Sequence, residues 1–325
     1  MAVTGNPDGP SSVVRGMEER ARGRADSSGA GRARGGRRRR SRAVLGVLAA
    51  AVLGAAGCDT AGDGSATPEP RRSSPAPSWD PSPGSIAAVG DSITRGFDAC
   101  TVLSDCPEVS WATGGSPEVD SLAVRLLGKA KAAERSWNYA VTGARMADLP
   151  GQMARAAARK PELVTVLVGA NDACRASVAA MTPVADFRAG FEEAMRTLRQ
   201  AAPKAQVYVA SIPDLKRLWS QGRTDPMGKR VWELGVCPSM LGDADAVDAA
   251  ATERRETVRR RVEDYNAVLR EVCAKDRLCR GDGGAVHAFR FGPGQLSRWD
   301  WFHPSVDGQA RLAEIAYRVV TAERP

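Results

Sequence analysis

The chain has 325 residues, of which 46 are lysine or arginine and 38 are acidic, and its formal net charge is +8. Eleven arginines but only four acidic residues lie within residues 1–58, so the rest of the chain carries 35 basic and 34 acidic residues. This nearly neutral remainder lacks the excess of positive charge that a nucleic-acid-binding surface needs, and we expect no nucleic-acid partner.

The first segment, residues 1–58, has the pattern of an export signal. An arginine-rich stretch precedes an apolar run from Ala43 to Ala56, which is too short to span a bilayer comfortably as a mature helix. The segment ends in "AAGC", which resembles a bacterial lipobox, in which the cysteine becomes the lipidated first residue. We therefore expect an exported protein that is held at the membrane through an acylated Cys58 and faces outside. A plain signal peptide with a secreted product is the alternative.

Residues 59–84 are rich in proline, serine, glycine and alanine and contain almost nothing to bury. This composition predicts a flexible tether. Residues 85–325 then form one domain, because about 240 residues are enough for a single α/β domain with a full core. We expect this domain to be a monomer.

Within the domain, apolar runs of strand length alternate with helical patterns. Strands are predicted at 85–89, 137–141, 163–168, 206–212 and 285–289. Helices are predicted at roughly 117–133, 147–158, 184–201, 251–276 and 306–321. This alternation predicts a mostly parallel five-stranded sheet with helices on both faces. Ligands of such sheets bind at the carboxyl ends of the strands.

The segment 212–241 is predicted as a long loop after the fourth strand. It contains Trp219, Trp232 and Met240, which either line an apolar acyl pocket or form a small satellite core under a disulfide. The sequence favours neither alternative.

Cys58 apart, the chain has six cysteines, and an even number in an exported protein favours disulfides. Six cysteines allow 15 pairings, so the connectivity stays open. Closeness in sequence favours Cys100–Cys106 and Cys273–Cys279, which leaves Cys174 to pair with Cys237. Because the sequence has no CxxC pair and no Cys/His cluster, we expect neither a metal site nor a cofactor.

The first predicted strand, "SIAAV", runs directly into "GDS", which ends at Ser92. One interpretation is a strand-to-helix turn in which Asp91 or Ser92 caps the next helix. The other is a nucleophilic serine at a strand end, which requires a base, an orienting acid and an oxyanion hole. Polar clusters also follow other predicted strands, among them the segments with Gly143 and Asn171. Their common placement at one end of the sheet favours the nucleophile.

The two histidines differ in their surroundings. His287 lies within a predicted strand and is interpreted as structural, whereas His303 lies in a loop before the last helix. Asp300 precedes His303 by three residues, so one turn of chain can place its carboxylate against the imidazole. A helix-entry turn capped by Ser305 would explain Ser305 but not the Asp–His spacing.

Taken together, these residues resemble the four sequence blocks of the SGNH, or GDSL-type, hydrolases over about residues 85–321. The blocks appear in order as "GDS" with Ser92, a glycine at Gly143, "GAND" with Asn171, and "DWFH" with Asp300 and His303. The resemblance implies a flavodoxin-like three-layer α/β/α fold, with Ser92 as nucleophile, His303 as base and Asp300 as its partner. It also implies an oxyanion hole formed by the Ser92 and Gly143 backbone N–H groups and the Asn171 side chain.

The resemblance further implies a serine esterase or lipase that cleaves carboxylic esters through an acyl-enzyme. A similar disulfide-bearing layout in secreted actinobacterial lipases and esterases favours lipids or other apolar acyl esters as substrates. Two alternatives stay open, a carbohydrate O-deacetylase of the same fold and a catalytically silent binding lipoprotein. The remaining acids of the motifs, Asp91 and Asp172, are interpreted as structural.

Overall fold

The core of the protein is a sheet of five parallel strands. A computed structural model describes residues 78–323. The strands are β1 (Ile86–Gly90), β2 (Ser136–Asn138), β3 (Leu163–Leu167), β4 (Gln206–Val209) and β5 (Cys279–Gly281). Their order across the sheet is β2-β1-β3-β4-β5, so β1 lies between β2 and β3. Every residue of β1 and β3 is buried, which fits strands that are covered on both faces.

Helices connect the strands, as parallel pairing requires. Those of eight residues or more are α3 (Leu149–Ala158), α5 (Val184–Ala201), α6 (Leu215–Gly222), α9 (Ala249–Cys273) and α11 (Val306–Thr321). The shorter ones are α1 (Leu122–Leu127), α2 (Lys129–Arg135), α4 (Ala170–Ala173), α7 (Pro226–Trp232), α8 (Pro238–Leu241) and α10 (Ala285–Ala288). Because α3, α5 and α9 pack side by side and α1 packs against α11, the sheet lies between two helical layers. This is the predicted three-layer α/β/α fold. No helix in the described part of the chain is long and apolar enough to cross a membrane.

The fifth strand is not where the sequence predicts it. The predicted strand 285–289 is instead the helix α10, and the strand position beside β4 is taken by β5. Asp282, directly after β5, accepts hydrogen bonds from the backbone N–H groups of Gly284 and Val286. These bonds turn the chain at once into α10. The real strand has three residues, one of them arginine, and so presents no apolar run.

The predicted long loop 212–241 is also different, because most of it is helical. Asp214 and Asp225 cap α6 and α7 with side-chain hydrogen bonds, and a proline follows Asp225 at the first helical position. Trp219, Trp232 and Met240 are all buried in the core. They belong to the main hydrophobic core of the domain and not to a separate satellite core, and Trp232 also lines a surface groove of about 470 Å³.

The structure contains three disulfides. They join Cys100 to Cys106, Cys174 to Cys237, and Cys273 to Cys279. Closeness in sequence favours the first and the third of these pairs, and the second is the pair that then remains. The longest link ties the end of α4 to the start of α8.

Packing against the domain begins earlier than residue 85. The Trp79 indole N–H donates to the carbonyl of Val320 at 2.8 Å, and the guanidinium of Arg280 lies over its ring. The Gln206 side chain pairs with the backbone of Asp80. The last seven residues of the predicted tether, residues 78–84, are thus attached to the domain because Trp79 has an apolar ring to bury. The export signal, Cys58 and the tether up to residue 77 lie outside the described residues.

Candidate active site

Ser92 lies just beyond the carboxyl end of β1, where the strand stops abruptly. Gly90 has φ +147°, and a Cβ atom there would lie 2.1 Å from the Leu167 carbonyl oxygen, so only glycine fits this close approach of two strands. The backbone N–H of Asp91 donates to the same carbonyl. Ser92 is 6% exposed, so little of it reaches solvent.

His303 connects Ser92 to Asp300. Its Nε2 lies 2.9 Å from Ser92 Oγ, and its Nδ1 lies 2.5 Å from Asp300 Oδ2. Since a carboxylate can only accept, Nδ1 carries the proton, and Nε2 is left to accept from the serine hydroxyl. The rings of Phe97 and Phe302 pack against the imidazole. The predicted base and acid are therefore brought to Ser92 in one continuous chain of contacts.

Asp300 is held from several sides. Its Oδ1 accepts backbone N–H bonds from Phe302 at 2.9 Å and His303 at 3.0 Å, and its own carbonyl accepts the Trp232 indole N–H at 2.6 Å. Trp301, which lies between Asp300 and Phe302 in the sequence, adopts φ +50°, a conformation that residues other than glycine seldom take. The three-residue spacing of Asp300 and His303 is thus a tight turn that closes on its own backbone.

Asp300 and His303 each favour the charged form of the other. Burial alone would raise the pKa of Asp300, but the charge of His303 and the hydrogen bonds from His303 and Phe302 lower it below its usual value. Burial alone would lower the pKa of His303, but the charge and hydrogen bond of Asp300 raise it. The buried carboxylate therefore favours an imidazole that can accept a proton from Ser92.

Gly143 and Asn171 lie on the loops that flank Ser92. Gly143 follows β2 and has φ +83°, and Asn171 lies in α4 just after β3, so both occupy the edge of the sheet where β1 ends. The Asn171 Nδ2 atom donates one hydrogen bond to the carbonyl of Ala144 at 3.0 Å. An amide carries two such hydrogens. Asn171 therefore both ties the Gly143 loop to α4 and keeps a second donor hydrogen.

The motif acids Asp91 and Asp172 make structural contacts. Asp91 accepts the backbone N–H of Ile93 at 3.0 Å, and burial raises its pKa to about 7. Asp172 accepts the backbone N–H of Met146 at 2.9 Å, and burial raises its pKa as well. Asp172 thereby fixes the same loop that carries Gly143. His287 makes its ring contact with the Ile212 carbonyl, away from Ser92.

Sequence analysis misses one acid of this cluster. Asp98 is buried, and its carboxyl oxygen lies within 4.8 Å of ligand atoms of both Asp300 and His303. It belongs to "RGFDAC", a stretch with no strand or helix pattern and no motif. Asp98 comes six positions after Ser92 in the sequence, and the folded loop between them brings its carboxyl group close to His303.

A surface groove opens beside Gly143. It has a volume of about 540 Å³, and its lining includes Val141, Ala144, Ala147 and Arg155. Val141 is 49% exposed, so the groove offers apolar surface to solvent next to the loop. It is open enough to admit a small acyl or alcohol group.

Comparisons with known proteins matched a family model and several solved structures. The sequence model of the GDSL-like lipase/acylhydrolase family matches residues 86–316. Among solved structures, an extracellular lipase from Streptomyces rimosus is 17% identical, with a TM-score of 0.40 over 71% of this chain and 99% of the lipase. A Clostridium thermocellum family 3 carbohydrate esterase is 14% identical, with a TM-score of 0.42 over 72% and 94%. The protein TesA is 20% identical, with a TM-score of 0.41 over 73% and 97%. Comparison with curated proteins found no match.

Proposed function

The chain belongs to the GDSL-like lipase/acylhydrolase family and is a hydrolase of ester bonds, and from this membership we propose that Ser92 is its nucleophile, His303 its general base and Asp300 the acid that orients the base. The continuous contact from Ser92 Oγ through both ring nitrogens of His303 to Asp300 Oδ2 carries this proposal. A binding role would not require such an arrangement.

In the proposed reaction, Ser92 Oγ attacks the ester carbonyl carbon while His303 Nε2 accepts the hydroxyl proton. The tetrahedral intermediate then breaks its bond to the leaving oxygen, and His303 returns the proton to the departing alcohol. The acyl group is left as an ester on Ser92. A water molecule, deprotonated by His303, attacks this ester and releases the acid, which restores the Ser92 hydroxyl.

The negative oxygen of the tetrahedral intermediate needs donors that are already in place. We assign this role to the backbone N–H groups of Ser92 and Gly143 and to the free hydrogen of Asn171 Nδ2. Positive φ at Gly143 and the bond from Asn171 to Ala144 support the assignment, since they fix both donors on loops that flank β1.

Asn171→Ala tests the oxyanion role. We expect kcat to fall by about 10²–10³-fold while KM changes little, because the missing donor acts mainly on the charged intermediate. The melting temperature should move by only a few degrees, the size that follows the loss of one hydrogen bond. Asn266→Ala is a matched control, since the hydrogen bonds of the Asn266 amide go to the backbone of Ile212 and not to the loop of Gly143. An unchanged kcat in Asn171→Ala would remove Asn171 from the oxyanion hole.

We propose that the substrate carries an apolar acyl group, because the groove beside Gly143, although partly polar, exposes Val141 and Ala147 next to this proposed oxyanion donor. A panel of p-nitrophenyl esters of increasing acyl length tests this. Preference for acyl chains beyond acetyl supports the proposal. Activity on acetyl esters alone would favour the carbohydrate O-deacetylase, and no turnover of any ester would favour the silent binding lipoprotein.

We also propose that the protein is exported and anchored through Cys58. Three disulfides support an oxidising compartment outside the cytoplasm. Wild-type protein should partition with membranes, and mass spectrometry should find an acylated Cys58 at its N-terminus. Cys58→Ala should appear soluble or unprocessed, whereas Ser92→Ala should partition like the wild type. An unmodified N-terminus at another residue would contradict the anchor.

A further inference from the structure

A second buried carboxyl group lies behind the Asp300–His303 pair and has no part in the proposed reaction. Asp98 is 1% exposed, and ligand atoms of Asp98, Asp300 and His303 all lie within 4.8 Å of one another. Two carboxyl groups at such a distance from one imidazole are more than a serine hydrolase needs. The arrangement therefore requires an explanation of its own.

The backbone around Asp98 is fixed by several contacts. Asp98 has φ +57°, its N–H donates to the Ser104 carbonyl at 3.0 Å, and its carbonyl accepts from Ser297 Oγ at 2.7 Å. Its carboxylate oxygen Oδ1 accepts the backbone N–H of Leu103. The disulfide Cys100–Cys106 closes the segment that supplies two of these partners. These contacts hold Asp98 in an unusual backbone conformation and fix the position of its carboxyl group.

The hydrogen-bond partners decide where a proton belongs in the cluster. Asp300 accepts three N–H bonds, from the Phe302 and His303 backbones and from His303 Nδ1, which favour its ionised form. Asp98 Oδ2 is buried and has no partner that donates to it among the residues that the structure describes. Two adjacent buried carboxyl groups cannot both ionise without strong repulsion. The group with fewer donors therefore holds a proton.

We infer that Asp98 is a positioning residue that keeps a proton on Oδ2 and donates it in a hydrogen bond to the Asp300 carboxylate. This inference rests on the proposed serine mechanism, which it extends to the order Ser92, His303, Asp300, Asp98. No proton leaves Asp98 during the reaction. Its O–H holds the Asp300 carboxylate in place against the imidazole.

The electrostatics of the cluster make this contact dependent on pH. Burial and the neighbouring Asp300 raise the pKa of Asp98 to about 6. The charged groups that act on Asp98 are Asp300 and His303, while Asp91 faces the same imidazole from the end of β1. When the proton is lost, Asp300 loses its donor and gains a repelling neighbour. We therefore expect the kcat of the wild type to fall below that of a variant with a permanent donor as the pH rises through about 6, where Asp98 ionises.

Two substitutions separate the donor from the charge. In Asp98→Asn the amide donates to Asp300 at every pH and its carbonyl still accepts from Leu103, so kcat should stay within about threefold of the wild type below about pH 6, where the wild-type Asp98 is protonated. In Asp98→Ala the donor is gone, and kcat should fall by about 10–100-fold, the range for hydrogen-bond partners of catalytic-site ligands, with KM little changed. Asp105→Asn is the control for the pH profile, because Asp105 lies in the same segment but pairs with Arg95 at 2.9 Å and accepts from the Thr142 hydroxyl.

The pH profile of kcat is the decisive measurement, made on a p-nitrophenyl ester that the wild type hydrolyses. Above about pH 6, kcat of Asp98→Asn should exceed that of the wild type and of Asp105→Asn, in which Asp98 ionises. A purely structural role would leave the profile unchanged. Wild-type kcat in Asp98→Ala, or equal damage in Asp98→Asn and Asp98→Ala, would overturn the inference while leaving the serine mechanism intact.

Proton NMR of the resting protein gives a readout that does not depend on turnover. The proton between His303 Nδ1 and Asp300 should give a downfield signal that disappears in His303→Gln. In the wild type this signal should shift as Asp98 titrates, and in Asp98→Asn that shift should be absent. An identical titration in both proteins would refute the role of Asp98 even if no ester were cleaved.

Discussion

Replacing Ser92 or His303 by alanine should lower kcat on the p-nitrophenyl esters by on the order of 10⁶-fold while the protein stays folded. Ser92→Ala removes the atom that attacks the carbonyl carbon, and His303→Ala removes the ring whose Nε2 lies 2.9 Å from Ser92 Oγ. The two side chains act as a unit, so the double variant should be little worse than either single variant. Steady-state kinetics and circular dichroism on the same preparations test this expectation.

Two residues of the same types serve as controls. Ser85 is buried beside the opposite end of β1, where its hydroxyl accepts the Glu162 backbone N–H, and His287 bonds to the Ile212 carbonyl. Ser85→Ala and His287→Ala should keep most of the wild-type kcat, although each loses one hydrogen bond of stability, about 1 kcal/mol. Near-wild-type turnover by Ser92→Ala would exclude the serine mechanism.

Asp300→Asn should lower kcat by about 10⁴-fold, the second largest effect. The carboxylate accepts the proton of His303 Nδ1, whereas an amide nitrogen at this place donates to Nδ1 and moves the ring proton to Nε2. A ring protonated at Nε2 cannot accept the Ser92 hydroxyl proton. The amide oxygen of the variant can still accept from the Phe302 and His303 backbones, so the turn should persist.

Asp282 provides the matched control for this substitution. It is also a buried acid after a parallel strand and accepts several hydrogen bonds, including those from Ser211, but it does not contact His303. Asp282→Asn should leave kcat near the wild-type value even if it lowers the melting temperature. A comparable loss of kcat in both variants would show that a general disturbance, and not the tautomer of His303, explains the effect.

The position of the candidate site could be predicted because its residues follow strands directly. Ser92 comes after a buried apolar run, and Gly143 and Asn171 follow the two strands that flank it in the sheet. Parallel strands all end at one edge, so strand order alone brings these residues together. The Asp300–His303 contact is local, since three residues span it. None of these relations depends on the details of long-range packing.

Other features depended on tertiary contacts that a pattern does not record. The strand β5 is short and polar, and it is a strand only because β4 offers it backbone partners. The helix α10 forms because Asp282 accepts the N–H groups at its start. Asp98 is positioned by a loop that a disulfide closes and by a turn about 200 residues later in the chain. Such residues become visible only when distant segments are placed side by side.

The contacts of Trp79 determine from which end of the domain the N-terminal segment leaves. The α11 helix begins beside His303 and runs for 16 residues, about 24 Å, to the end where Trp79 is bound. The other contacts of residues 78–84 involve Gln206 and Gly84, which lie at the amino ends of β4 and β1. The chain therefore leaves the domain at the pole opposite Ser92. An enzyme held at a membrane by its N-terminal segment would have its Ser92 site on the side of the domain away from the bilayer. Immobilising the protein on a bead through the same segment should for this reason leave substrate access unobstructed.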